Sequence, residues 1–271
     1  MMKEYSIREL QLKTLECLKE VKRICEKNQI PYFLSWGSAL GAVRHQGFIP
    51  WDDDIDICMM YPDYLRFLEA CKSDLDTKRF FLQTPDTDYH TLLPYAKLRM
   101  NHTTSMDAQY SHVKMHWGVC IDIFPLRNAP DSPKKRKQLL FYSKLYRLVL
   151  RRSVISGTKR MVLKILCLLF TEKGLRKKLQ KRIDSLCPTT ETGTIFDMEG
   201  ISAGKVFYPS KLVEGLAMLP FEGIQFSCPE HADEYLTYLY GDYMTPPPES
   251  NRTGHTGIIV DLEKDYSEYQ K

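Results

Sequence analysis

The sequence predicts an α/β protein, and three observations carry that prediction. Residues 6–28 place apolar side chains at helical spacing behind a capping signal. Residues 54–59 alternate acid and apolar with a period of two. Short apolar runs with strand character then recur between helical stretches. A chain of 271 residues with 43% hydrophobic and 27% charged residues can bury a core without disulfide or metal staples, and its composition excludes disordered and collagen-like classes.

Taken in order, Ser6 and Glu9 form an S-x-x-E capping box, and Ile7, Leu10, Leu15, Leu18, Val21 and Ile24 define one helical face. Y-F-L-S-W at 32–36 follows Pro31 and ends at Gly37, which reads as a short buried strand; residues 38–45 then make one or two helical turns. D-I-D-I-C-M at 54–59 is a strand with one polar face, and a helix from Tyr64 to Cys71 follows Pro62. Strands are expected near 79–83, 94–100 and 118–124. Beyond Pro188, F-E-G-I-Q-F reads as a hairpin element and E-H-A-D-E-Y-L-T-Y-L-Y as a helix stopped by Gly241. P-P-P at 246–248 opens a polar C-terminal loop. The expected organisation is a single domain over 1–271 with a basic amphipathic helical insertion at 132–188.

The formal net charge of +4 conceals a division. Residues 134–182 hold 17 of the 38 lysines and arginines and one acid, Glu172, for a net of +16, so the rest of the chain carries −12. That imbalance exceeds an ordinary solvated surface. No nucleic-acid motif accompanies it and aromatics are sparsely interleaved, so no nucleic-acid partner is expected. Leu, Val and Phe among the cations fit an amphipathic element on an anionic membrane surface. The longest apolar run, 161–170, is interrupted by Lys164 and as a helix spans about 15 Å, too short to cross a bilayer but able to lie on one. Eight cysteines without a C-x-x-C pair, and a start without a signal peptide, predict reduced thiols in a cytoplasmic protein.

The densest chemistry is W-D-D-D-I-D-I at 51–57. Gathered carboxylates repel one another and call for a cation. On a strand Asp54 and Asp56 share a face while Asp53 points away, giving an oxygen-only half-site suited to Mg²⁺, with Mn²⁺ as a substitute. Gly37–Ser38 lies where a strand meets a helix, where backbone N–H groups and the hydroxyl can hold phosphate. Asp122 is a lone acid inside the apolar run G-V-C-I-D-I-F-P-L; it is either a salt-bridged core residue or, the preferred reading, a third metal ligand or a base.

A G-S turn, a D-h-D-h strand (h meaning apolar) and a third acid resemble the nucleotidyltransferase superfamily, the fold of DNA polymerase beta. W-G-S-A-L-G-A-V-R-H-Q-G-F-I-P-W-D-D-D-I-D-I at 36–57 and I-D-I-F-P-L at 121–126 closely resemble the LicD family, which is related to fukutin. So do L-P-F-E-G at 219–223 and D-E-Y-L-T-Y-L-Y-G-D-Y-M-T-P-P at 233–247. The resemblance implies a mixed β-sheet core flanked by helices. It implies transfer of phosphocholine, or a similar phosphoalcohol, from CDP-choline to a sugar hydroxyl of a precursor of teichoic acid or lipopolysaccharide, on a lipid-linked glycan. CDP-ribitol or CDP-ethanolamine are alternative donors, and a non-catalytic nucleotide-binding membrane adaptor is an alternative role. It assigns Asp54, Asp56 and Asp122 to metal and catalysis, and Gly37, Ser38, Arg44 and His45 to the diphosphate.

Four more residues are phosphate candidates: Lys97 and Arg99, which alternate on one predicted strand face, and Arg252 and His255 in the loop N-R-T-G-H. An aromatic cage for a trimethylammonium group would draw on Trp36, Trp51 or Trp117, although tryptophans so placed are more often core. His112 and His116 are spaced for a metal on a helix, but without a third ligand they read as loop histidines.

Overall fold

Ser6 caps the first helix, α1 (Ile7–Asn28), in the computed structural model of this chain: Glu9 N–H donates to its hydroxyl, and the Glu9 carboxylate accepts from Ser6 N–H. The structure describes residues 5–157, 161, 171–199, 205–252, 254 and 257–270. The apolar run at 162–170 therefore lies outside the described residues, as does His255.

After α1 come β1 (Phe33–Leu34), α2 (Trp36–His45), β2 (Asp56–Met60) and α3 (Tyr61–Asp74), the last with Pro62 in its first turn, where a missing N–H is harmless. Strands β3 (Phe80–Gln83), β4 (Ala96–Met100), β5 (Thr104–Asp107) and β6 (Cys120–Asn128) follow. The basic region supplies α4 (Pro133–Leu150) and α5 (Glu172–Leu186). The chain continues through β7 (Thr194–Asp197), β8 (Phe207–Pro209), the hairpin β9 (Leu216–Phe221) and β10 (Ile224–Pro229), α6 (Ala232–Tyr240) and β11 (Ile258–Asp261).

Seven strands form the central sheet, in the order β1-β2-β6-β4-β3, with β7 also paired to β6 and β8 to β7. Only β2 and β6 run parallel; the remaining pairs are antiparallel, so the sheet is mixed. Leu18, Val21 and Ile24 of α1 join Ile57, Leu98, Ile121 and Ile123 of the sheet in one apolar core. A separate cluster joins Leu139, Tyr146 and Val149 of α4 to Leu175, Leu179 and Ile183 of α5, with Phe196 and Met198 beside them. The amphipathic spacing of the basic helices thus serves first to bury them against each other. Phe141 stays outside at 61% exposure.

Three sequence expectations are corrected. The strand expected at 32–36 shrinks to two residues because Trp36 already opens α2, a helix of ten residues. The sheet strand carrying Asp122 runs on to Asn128. The C-terminal segment is more than a polar loop: β11 pairs antiparallel with β5, Ile258 opposite Asp107 through Asp261 opposite Thr104. No helix among the described residues is long and apolar enough to cross a membrane.

Candidate active site

The parallel register of β2 and β6 sets Asp56 opposite Asp122, and the antiparallel register of β4 sets Lys97 opposite Asp122 from the other side. Directly opposed residues point to the same face of a sheet, so two carboxylates and an ammonium share one rung. Lys97 Nζ lies 2.7 Å from Asp122 Oδ1 and donates to Oδ2 at 3.0 Å, where Tyr95 OH donates as well, also at 3.0 Å. Burial pushes the Asp56 carboxyl well above its ordinary range, and Asp54 and Asp122 push it further. Burial alone would lower the Lys97 ammonium; Asp122 beside it more than compensates, and the net shift is upward. Burial likewise raises the Tyr95 phenol, reinforced by Asp122, Glu199 and Asp56.

The turn from β1 into α2 holds this rung in place. Trp36 adopts φ +43°, a left-handed conformation unusual for a tryptophan. Its ring packs edge-on against Phe124 with centroids 4.5 Å apart, and its N–H donates to Tyr235 OH at 3.4 Å. The next residue is glycine for a steric reason: a Cβ on Gly37 would sit 2.9 Å from Asp52 Oδ2. Ser38, 4% exposed, accepts from Asp56 N–H at 2.8 Å. The G-S pair therefore anchors the acidic strand from within, and the Ser38 oxygen is engaged by protein rather than standing open to solvent.

Asp53, Asp54, Lys97 and Asp122 line one cavity of about 240 Å³ together with Thr14 of α1. Arg99 borders it as well, but its guanidinium donates to Gln83 Oε1 at 2.6 Å and to the Gly118 carbonyl at 2.8 Å, and the residue is 2% exposed. Arg99 is thus a buried brace, in contrast to the expected phosphate ligand. At the end of α2, Arg44 donates to His45 Nε2 at 3.0 Å and to the Tyr243 carbonyl at 2.6 Å, while the His45 ring meets Trp51 edge-on. The Arg252 guanidinium lies 5.1 Å over Trp51. Burial lowers Arg44, and Arg252 lowers it further; burial and Arg44 do the same to His45. A Cβ on Gly254 would meet the Trp51 carbonyl at 2.9 Å and Asp53 Oδ1 at 3.6 Å, so Gly254 lies directly against the acidic loop.

Trp36 and Trp117 are buried, and Trp117 donates to the Val113 carbonyl. Trp51, the half-buried one, is stacked by Arg252. The stretch around His112 and His116 is not helical. His116 stacks on Phe81 at 5.0 Å and lies 4.6 Å from Tyr266.

Two contributors escaped sequence inspection. Tyr95 is two residues before Lys97, and strand alternation would have placed it on the same face. Glu199 carries no sequence signal: it is half-buried, its Oε1 has no hydrogen bond to a described residue, and Arg147 of α4 lies 3.9 Å away. Burial raises its carboxyl; Arg147 and Arg151 oppose this and Asp122 adds to it. The basic helix and the acidic site thus come within electrostatic reach of each other.

The donor set for a cation is carboxylate oxygen, the chemistry that Mg²⁺ or Mn²⁺ prefers. Burial first, and then the neighbouring Asp54 and Asp122, raise the Asp56 carboxyl, and a cation there would relieve the crowding of like charges. Among the described residues, however, no three acidic, histidine or cysteine side chains converge as a ready ligand set. Asp122 is a salt-bridged residue, as one of the two sequence readings had it.

Residues 29–155 match the family model described as LicD/FKTN/FKRP, nucleotidyltransferase domain. The chain is 30% identical over 267 residues to a lipopolysaccharide cholinephosphotransferase, LicD, of Haemophilus influenzae, an alignment covering 94% of this chain and 97% of that protein. Shorter matches reach uncharacterized proteins of Rickettsia typhi (44% over 66 residues; 24% of this chain, 21% of that one) and Rickettsia prowazekii (46% over 52 residues; 19% and 20%).

Proposed function

The chain belongs to the LicD family of nucleotidyltransferase-fold phosphotransferases, and from that premise we propose that it transfers phosphocholine, or a similar phosphoalcohol, from a CDP-alcohol to a sugar hydroxyl of a lipid-linked cell-surface glycan precursor. The observation that carries the reading is the rung Asp56–Asp122–Lys97, a half-buried charge cluster of which Asp122 and Lys97 line a cavity in a phosphotransferase fold.

In the proposed reaction the acceptor oxygen attacks the phosphorus that bears the alcohol, a new P–O bond forms in line, the diphosphate bridge breaks, and CMP leaves. Such a transfer depends on positioning and charge neutralisation more than on covalent catalysis. Asp54 and Asp56 would hold Mg²⁺, or Mn²⁺ in its place, which supplies charge neutralisation at the diphosphate. Lys97 exchanges Asp122 for a phosphate oxygen of the donor, and Asp122, still held by Tyr95, takes the proton from the acceptor hydroxyl. Arg44, His45 and Arg252, gathered around Trp51, would bind the donor diphosphate, with Gly37 and Ser38 fixing the acidic strand. His255, in the same segment as Arg252, is assigned to the donor phosphate on sequence grounds.

Residues 132–188 are proposed as an insertion within one domain, on the strength of the separate apolar cluster of α4 and α5. Its exposed cations, Lys134, Lys135, Lys137 and Lys144 among them, would bring the site to the anionic inner face of a membrane. Arg147, Arg151 and Arg152 suit that task less, because Glu199, the Leu92 carbonyl and Tyr89 OH already engage them. Incubation with CDP-choline, CDP-ribitol, CDP-ethanolamine or CTP plus Mg²⁺ tests the reading. CMP release from a CDP-alcohol in the presence of a glycan acceptor supports it. Pyrophosphate release from CTP replaces it with nucleotidyl transfer, and release of neither product from any donor leaves the adaptor role.

A further inference from the structure

A second cavity, of about 530 Å³, opens between α4, α5 and the β3–β4 loop and shares no lining residue with the cavity at Asp122. Lys173, Lys177 and Lys181 line it from α5. Spaced four residues apart, they stack on one helix face, where like charges destabilise a helix. All three are exposed, and none of them hydrogen-bonds or pairs with another described residue. Glu172, the acid at the start of this helix, is already committed to Arg152 and Arg176. The one acid lining the cavity is Asp86.

The wall of the cavity is built as well as charged. Arg176 is 7% exposed; it donates to the Tyr89 carbonyl at 3.0 Å and lies 4.5 Å over the Tyr89 ring, while its Nε is buried without a hydrogen-bond partner. Arg152 stacks on the same ring at 5.1 Å, so Tyr89 is fixed by two guanidinium groups. Tyr146 closes another side with a phenol that makes no hydrogen bond to any described residue.

We propose that this cavity is a site for a phosphate-bearing ligand, a phosphomonoester or a diphosphate, separate from the Asp56–Asp122 centre. With Arg176 paired to Glu172, three lysines still face one carboxylate, more than a single carboxylate ligand would neutralise, and a multiply charged phosphate accepts from several donors at once. The same chemistry is offered by a lipid headgroup and by a soluble phosphate. The lipid source rests on the proposed reading of residues 134–182 as facing an anionic surface; the site itself does not.

The test is isothermal titration of the full chain with inorganic pyrophosphate in metal-free buffer, for the unmodified protein, K173Q/K177Q and the charge-matched control K134Q/K137Q on exposed α4 positions. The site predicts binding that weakens at least about tenfold in K173Q/K177Q and changes less than about twofold in the control. A second arm compares phosphatidylcholine vesicles carrying phosphatidic acid or phosphatidylglycerol at equal anionic charge. A phosphatidic-acid preference that K173Q/K177Q abolishes identifies a headgroup ligand. Equal capture of both vesicles, with intact pyrophosphate binding, identifies a soluble one. No pyrophosphate binding, or equal weakening in both variants, overturns the site. CDP-choline turnover with a soluble acceptor is read separately and stays unchanged in K173Q/K177Q, so failure of this site and failure of the proposed reaction are distinguishable.

Discussion

Asp56 on β2 and Asp122 on β6 are direct register partners in the one parallel pair of the central sheet, and Lys97 reaches only one of them. Asp122 is held by Lys97 and Tyr95. Asp56 instead takes the electrostatic penalty, its carboxyl pushed up by burial and then by its acidic neighbours. A buried carboxylate kept in that state reads as a site that sacrifices stability for chemistry.

Asp56→Asn should therefore separate the two. Removing one charge from the cluster is expected to leave stability unchanged or raise it by about 1 kcal/mol, a Tm gain of roughly 2–4 °C. Transferase activity should fall by at least about a thousandfold. Thermal unfolding and a CMP-release assay on the same preparation check both.

Lys97→Met removes the cation from Asp122 while keeping the length of the side chain. Both partners are 16% exposed, so the loss should approach the cost of breaking a buried ion pair, about 3 kcal/mol. The double variant Lys97→Met/Asp122→Asn should recover a good part of it, and chemical denaturation of the four proteins of the cycle measures the coupling.

His116 predicts an acid-sensitive fold. Gly118 N–H donates to its Nδ1 at 3.1 Å and its Nε2 faces Asn101 Oδ1 at 3.0 Å, an arrangement satisfied by the neutral ring. Burial, and then Arg99, lower its pKa from 6.5 to about 3. The unfolded chain binds this proton below about pH 6.5 and the folded chain does not. Stability is therefore full above that pH and is lost as pH falls toward 3, by at most about 2 kcal/mol at pH 5. Urea unfolding at pH 7.5 and pH 5 should show the drop, and His116→Gln should reduce it.

Gly254→Ala tests whether the close approach of Gly254 to the acidic loop matters. The added methyl would press on the Trp51 carbonyl at 2.9 Å. Global stability should shift by less than about 1 kcal/mol, since the segment is peripheral, while KM for the CDP-alcohol should rise several-fold. Steady-state kinetics with varied donor resolve the two parameters.

Much of this site is legible in the sequence because its key signals are local. The period-2 run 54–59 locates β2, although the strand begins only at Asp56 and leaves Asp54 in the loop just ahead of it, and the lone acid in an apolar run singles out Asp122. What the sequence could not carry is register, which is decided by tertiary pairing: Lys97 meets Asp122 only because β4 and β6 align as they do. Arg99, equally basic and on the same strand face, is turned to Gln83 and Gly118 by its neighbours. The inward use of Ser38 depends on a tryptophan in a left-handed conformation, which no propensity predicts. β11 finds β5 across more than 150 residues of chain, a contact without any local signal.

In the proposed reaction Asp56, at the start of β2, and Asp54, two residues before it, carry the phosphoalcohol transfer. The most direct measurement is CMP release from CDP-choline, with Mg²⁺ and a glycan acceptor, by the unmodified chain and by Asp56→Asn shown to be folded by thermal unfolding. The account predicts acceptor-dependent CMP from the first and none above background from the second; equal release from both would contradict it.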